Sequence, residues 1–117
     1  MIEATFACSV CAKQAGAIQL HGPAAPAEVR RESFTSVLRA PATAEAFEQL
    51  RAALAAGDAG AIFDLDPEYA PFYCPPCRAS YCGDHWDRWD VFDEDFPDWR
   101  DSIRGHCPRG HERMLED

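Results

Sequence analysis

The stretch Cys74-Pro75-Pro76-Cys77-Arg78-Ala79-Ser80-Tyr81-Cys82-Gly83-Asp84-His85 decides how this chain folds. It packs two ligand pairs, Cys74-x2-Cys77 and Cys82-x2-His85, into twelve residues. Thiolate sulfur and imidazole nitrogen are the donors that Zn2+ favours. A two-residue gap also lets the backbone curl around one ion with its amide N–H groups turned toward the sulfurs. Working outward, Cys8-x2-Cys11 lies upstream and Cys107-x3-His111 downstream. The four pairs use all six cysteines and two of the four histidines, and supply eight ligands, enough for two tetrahedral Cys3His sites. A redox reading of Cys74-Pro75-Pro76-Cys77 lacks the strand–CxxC–helix context, because prolines follow Cys74 directly and Cys82 comes soon after.

Sequence order alone leaves three ways to join the pairs. Sequential pairing puts the first and second on one ion. Nested pairing closes Cys74, Cys77, Cys82 and His85 on one ion and the chain ends on the other. Crossed pairing puts Cys8, Cys11, Cys82 and His85 on one, and Cys74, Cys77, Cys107 and His111 on the other. His106 adjoins Cys107 and competes with His111, although Gly110 suits the tight corner of the x3 knuckle. His21, in a Pro/Gly-rich stretch, reads as an exposed histidine.

The chain has 117 residues, one domain's worth, with 47% apolar residues and 13 aromatics, which argues for a packed core. It carries 11 Lys+Arg against 20 Asp+Glu, a net charge of −9. That charge makes it a poor partner for nucleic-acid phosphates or anionic lipids. No apolar run approaches the ~20 residues of a membrane span, and Met1 to Phe6 lack the features of a signal peptide. The expected location is cytoplasmic, where thiols stay reduced and structural disulfides are disfavoured.

Between the terminal pairs, Ala17–Leu20 is expected as a short strand, His21–Pro26 as a loop, and Glu28–Arg39 as an extended segment. Pro41–Ala56 is the clearest helix, with Phe47, Leu50 and Leu54 on one face and Gly57 as its stop. A shorter helical turn is expected at Ala59–Leu65. Residues 12–70 thus read as a helical insertion, and 71–117 as an aromatic-rich zinc core. Trp86, Trp89, Phe92, Phe96 and Trp99 recur at steps of three and four, predicting a helix from an Asp84 N-cap to about Glu94. Ser102–His106 and Glu112–Leu115 predict a hairpin. The fold class is therefore a small α+β zinc-binding domain with two structural zinc sites.

The ligand order resembles that of the cross-brace two-zinc fingers, the RING and FYVE members of the treble-clef group. The four-residue gap between Cys77 and Cys82 is similar to a FYVE spacing. Val10 within the first pair and Pro108 after Cys107 resemble the apolar residue and proline of RING pairs. The resemblance implies crossed pairing. Two features depart from it: 62 residues separate Cys11 from Cys74, and His ends both the third and fourth pairs. Tyr69-Ala70-Pro71-Phe72-Tyr73 stands where a FYVE domain has its basic motif, so inositol-lipid binding is not implied. Ubiquitin-ligase activity would rest on Val10 and Pro108.

Eight saturating ligands leave no open metal position for catalysis; Asp84 or Asp87 would serve as a base only if one ligand were absent. The expected function is a non-catalytic zinc-binding interaction, adaptor or regulatory module. Alternatives are a ubiquitin-ligase-like finger and a zinc or thiol enzyme. Eight acids and two arginines between Asp84 and Asp101 give that stretch a net charge of −6. It is either a solvated face or the docking face for a basic protein partner.

Overall fold

Period-two alternation builds the first half of the molecule. The structure, a computed structural model, describes residues 1–22 and 27–117. Strands β1 (Ile2–Ala7), β2 (Gln14–His21), β3 (Glu28–Ser33) and β4 (Val37–Pro41) form an antiparallel meander in chain order. Its register aligns Ile2, Leu20, Val29 and Ala40 in one row, and Ala4, Ile18, Arg31 and Leu38 in the next. Opposed residues and every second residue share a face, so these rows form one largely apolar surface. Helix α1 (Ala44–Ala56) buries Phe47, Leu50, Ala53 and Leu54 against it. Helix α2 (Ala59–Leu65) adds Ile62.

The helix ends follow from local chemistry. Thr43 accepts a hydrogen bond from the Ala46 amide, and Gly57, at φ 63°, closes α1 in the left-handed region. Asp58 then caps α2 through the Ala61 amide. The helix expected from Pro41 starts at Ala44, because Pro41 still belongs to β4.

The next row of the sheet, Phe6, Gly16 and Ser33, carries a close approach. A Cβ on Gly16 would lie 2.3 Å from the ring of Phe72, which is fully buried and stacked on Phe6 at 5.2 Å. Gly16→Ala is expected to lower stability by about 1–3 kcal/mol through overpacking, measured by denaturant titration. A change within error would mean that Phe72 has room to move.

After a 3-10 turn at Pro67–Tyr69, β5 (Tyr73–Cys74) and β6 (Ala79–Ser80) form a minimal ribbon. The chain ends in a three-stranded antiparallel sheet, β7 (Asp87–Phe92), β8 (Arg100–His106) and β9 (Glu112–Glu116). One buried cluster runs from Phe6, Ile18 and Leu20 through Phe72, Tyr81 and Trp86 to Ile103 and Leu115. No helix among the described residues is long and apolar enough to cross a membrane.

Several expectations are corrected. Residues 12–70 are more than a helical insertion: they supply three strands of the large sheet and both helices. Glu28–Arg39 is two strands, turned where the Ser33 amide donates to Ser36 O. The helix expected from Asp84 to Glu94 is absent, and strand β7 occupies its place. Helical spacing of aromatics has force only when the stripe is buried, and here Phe92, Phe96 and Trp99 are exposed. Pairing with β8, closed by Asp87 opposite His106, overrides the local pattern. Of the expected loop His21–Pro26, residues 23–26 lie outside the described residues.

Candidate metal centres

All eight expected ligands converge, in two groups: Cys8, Cys11, Cys82 and His85, and Cys74, Cys77, Cys107 and His111. Each group could hold a metal ion and joins two separate turns.

In the first group, the β1–β2 turn is closed by Cys8 N–H donating to Lys13 O at 2.7 Å and Ala12 N–H to Cys8 O at 2.9 Å. Ala12 adopts φ 65°, a left-handed conformation unusual for a residue with a Cβ. The turn aims the Val10 amide at Cys8 Sγ, 3.4 Å away. The partner turn, between β6 and β7, is held by His85 N–H to Cys82 O at 3.0 Å. Ser9 N–H donates to Ser80 O at 2.8 Å and joins the two turns.

The second group repeats this construction. The β5–β6 turn carries Cys74 and Cys77, with Arg78 at φ 51° and its amide on Pro75 O at 3.2 Å. The β8–β9 turn carries Cys107 and His111. Gly110, at φ 87°, makes the corner, and the His111 amide donates to Cys107 Sγ at 3.4 Å.

The spacings test what the groups can hold. A tetrahedral ion with Zn–S of about 2.3 Å and Zn–N of about 2.0–2.1 Å implies S···S edges of roughly 3.8 Å and S···N edges of roughly 3.5 Å. In the first group Cys11 and Cys82 sulfurs are 3.6 Å apart, and His85 Nδ1 lies 3.5 Å from Cys8 and 3.3 Å from Cys82. In the second, Cys77 and Cys107 sulfurs are 3.8 Å apart, and His111 Nδ1 lies 3.3–3.7 Å from its three sulfurs. A disulfide needs about 2.05 Å, and all six cysteines are free. The groups are consistent with zinc sites.

Their electrostatics agree. Burial pushes the Cys8 thiol up, but hydrogen bonds from the backbone of Cys82, Cys11 and Val10 outweigh it and bring it down to about 6. Cys107 is likewise brought down to about 7 by the His111 and Arg109 amides, against its burial. Cys74, in contrast, is pushed up to about 12, first by burial and then by the sulfurs of Cys77 and Cys107. Cys82 is raised by burial, with Cys11 and Cys8 adding to the rise. Three crowded sulfurs cannot all ionise alone; a dication between them removes the conflict.

Of the supporting residues, Arg113 carried no spacing signal in the sequence, and the spacing of Trp86 pointed to a helix. Trp86 Nε1 donates to Tyr81 O at 3.1 Å and ties down the loop before Cys82. Arg113 Nη1 donates to Ala70 O at 2.9 Å and Tyr73 O at 2.6 Å, and its guanidinium lies over the Phe63 ring. It thereby anchors the strand that delivers Cys74. The nearby Cys77 sulfur and burial together push the Tyr81 phenol up to about 12.

Other candidates fall outside both groups. His106 packs against Trp89 with tilted rings, centroids 4.9 Å apart, and its Nε2 lies 3.3 Å from Glu112, so His111 is the residue gathered with the cysteines. His21 is exposed beside Glu28, Arg30 and Arg39. Asp84 makes an exposed ion pair with Lys13 at 3.4 Å, and Asp87 opens β7. No curated protein and no solved structure matches the chain. A family model spans residues 1–117, and the chain belongs to that family, described as a domain of unknown function (DUF8328).

Proposed function

We propose that the chain is a non-catalytic zinc-binding interaction module, in which one Zn2+ in each Cys3His group clamps three small sheets together. The near-tetrahedral edges within each group of four protein donors carry this reading. Four donors fill the coordination sphere and leave no position for a substrate or activated water. The ions would supply charge neutralisation and cross-linking, while the chain's turns orient the sulfurs and donate amide hydrogen bonds. Interleaving of the pairs along the sequence supports a cross-brace, with the β5–β6 ribbon as shared strut.

Metal analysis and cobalt substitution test this reading. The purified chain is expected to hold two Zn2+ and to give a tetrahedral thiolate-rich Co2+ spectrum at both sites. Cys8→Ser and Cys74→Ser should each lower the content below two ions and destabilise the fold. A five-coordinate spectrum, or a water signal that exchanges at the metal, would overturn the non-catalytic assignment.

One observation favours a ubiquitin-ligase-like reading: Val10 is 56% exposed on the first knuckle, open to a partner. Binding of a ubiquitin-conjugating enzyme that is lost on Val10→Ala would establish it.

A further inference from the structure

The hairpin β7–β8 projects a surface that its own fold leaves uncovered. Phe92 is 52% exposed, Phe96 62% and Trp99 71%. Phe96 and Trp99 meet edge to face, with ring centroids 6.3 Å apart. With Asp95, Pro97 and Asp98 they line an open cleft of about 280 Å³. The tip is ordered by its own hydrogen bonds. Asp93 N–H donates to Trp99 O at 3.0 Å, Trp99 N–H to Phe96 O at 2.8 Å, and the Asp95 amide to the Asp93 carboxylate at 2.8 Å.

Charge makes this surface selective. The two arginines of the segment are engaged away from the tip. Arg88 lies over the Phe34 ring, and Arg100 lies between Asp90, at 3.9 Å, and Glu116, at 3.5 Å. Asp84 is taken by Lys13. Among the described residues, Asp93, Glu94, Asp95, Asp98 and Asp101 have no cationic side chain within 4.0 Å. The exposed rings are therefore rimmed by uncompensated carboxylates.

We infer that this hairpin tip is the docking surface for a lysine- or arginine-rich protein segment that places one large apolar side chain in the Phe96–Trp99 cleft. The inference rests on the interaction-module reading and names the partner's chemistry. Aromatic anchors with a polar rim are the usual arrangement of a binding hot spot, and the rim charge selects the partner and steers its approach. A second copy of the chain would bring the same net −6 stretch against itself. Nucleic acid and anionic membranes are repelled for the same reason.

The test uses the zinc-loaded full chain and labelled lysine-rich peptides with a central leucine or phenylalanine, beside an all-lysine control. The apolar-bearing peptides are expected to bind roughly tenfold or more tightly than the control, with NMR shifts concentrated at residues 92–101. Phe96→Ser/Trp99→Ser should abolish that difference. Glu94→Gln/Asp98→Asn/Asp101→Asn should weaken every peptide and flatten the salt dependence; Asp93 is left intact because its carboxylate holds the turn. Both variants should retain two Zn2+, since the tip contributes no ligand. The inference is overturned if no peptide binds, if control and apolar peptides bind equally, if the aromatic variant binds like wild type, or if the free chain dimerises with the Trp99 indole buried. Two tightly held Zn2+ with an inert hairpin would remove this inference alone. Hairpin binding by a chain that holds no zinc would remove the zinc reading alone.

Discussion

Stripping both ions from the loaded protein with a strong chelator is expected to abolish its cooperative fold. The near-UV circular dichroism of buried Trp86 should vanish, and amide protection in β5 to β9 should collapse. A structural zinc site contributes on the order of 10–16 kcal/mol of apparent binding free energy, whereas a whole domain is usually stable by about 5–15 kcal/mol. Losing one site is therefore comparable to losing the fold. The geometry shows where the ions act. The β5–β6 ribbon has only two residues per strand, and its turn is joined to the β8–β9 turn through Cys74, Cys77, Cys107 and His111. Without the ion these crowded sulfurs lose their counter-charge and the two turns separate. Retention of the melting transition after complete metal removal, checked by elemental analysis, would refute the structural role.

Arg31→Met should destabilise the domain by about 2–6 kcal/mol even with both ions bound, because it leaves two buried carbonyl acceptors without their donor, at about 1–3 kcal/mol each. Arg31 sits on the core-facing side of the large sheet, between Ile18 and Leu38, and is 1% exposed. Its Nε donates to Glu68 O at 2.9 Å, and its Nη1 to Ser36 O at 2.9 Å and Thr35 Oγ1 at 3.2 Å. Glu116 lies 4.0 Å from Nη2, too far for a strong bond, and also accepts from Ser36 Oγ. The carbonyl contacts therefore dominate, and the ion pair is secondary. Methionine fills much of the volume but leaves those acceptors unsatisfied, while the Glu116 carboxylate keeps Ser36 Oγ and Arg100, at 3.5 Å, as partners. Arg31→Met/Glu116→Gln should then recover little of the loss. Denaturant titration of both variants decides it: a single variant within about 1 kcal/mol of wild type would show that water satisfies these groups.

The local code of the first half was readable because its signals are short-range. Thr43, Gly57 and Asp58 act on amides and carbonyls within a few residues, so α1 and α2 emerge close to their expected limits. The terminal hairpin was legible for the same reason, its turn being the Cys107–His111 knuckle itself. β7 was misread because Trp86, Trp89, Phe92, Phe96 and Trp99 satisfy a helical period, and periodicity does not say whether a stripe will find a core. Arg31 was equally silent: an arginine in an alternating strand reads as solvent-facing until partners from the 3-10 turn and β9 surround it.

Chemistry, then, was determined by the sequence. Six cysteines with His85 and His111 make eight donors at knuckle spacing, and no fold is needed to recognise a soft-metal donor set. Which pairs meet was decided by tertiary structure. Tyr73–Cys74 and Ala79–Ser80 form a ribbon whose turn carries Cys74 and Cys77 at one end and from which Cys82 leaves at the other. Pairs close in sequence are thus directed to opposite ends of the same strut, and each finds its partner in a turn from a distant part of the chain. The acidic stretch also changed meaning there. As a helix its carboxylates would have covered a buried aromatic stripe; as a hairpin they surround exposed rings, because cross-strand pairing places the tip beyond the reach of the core.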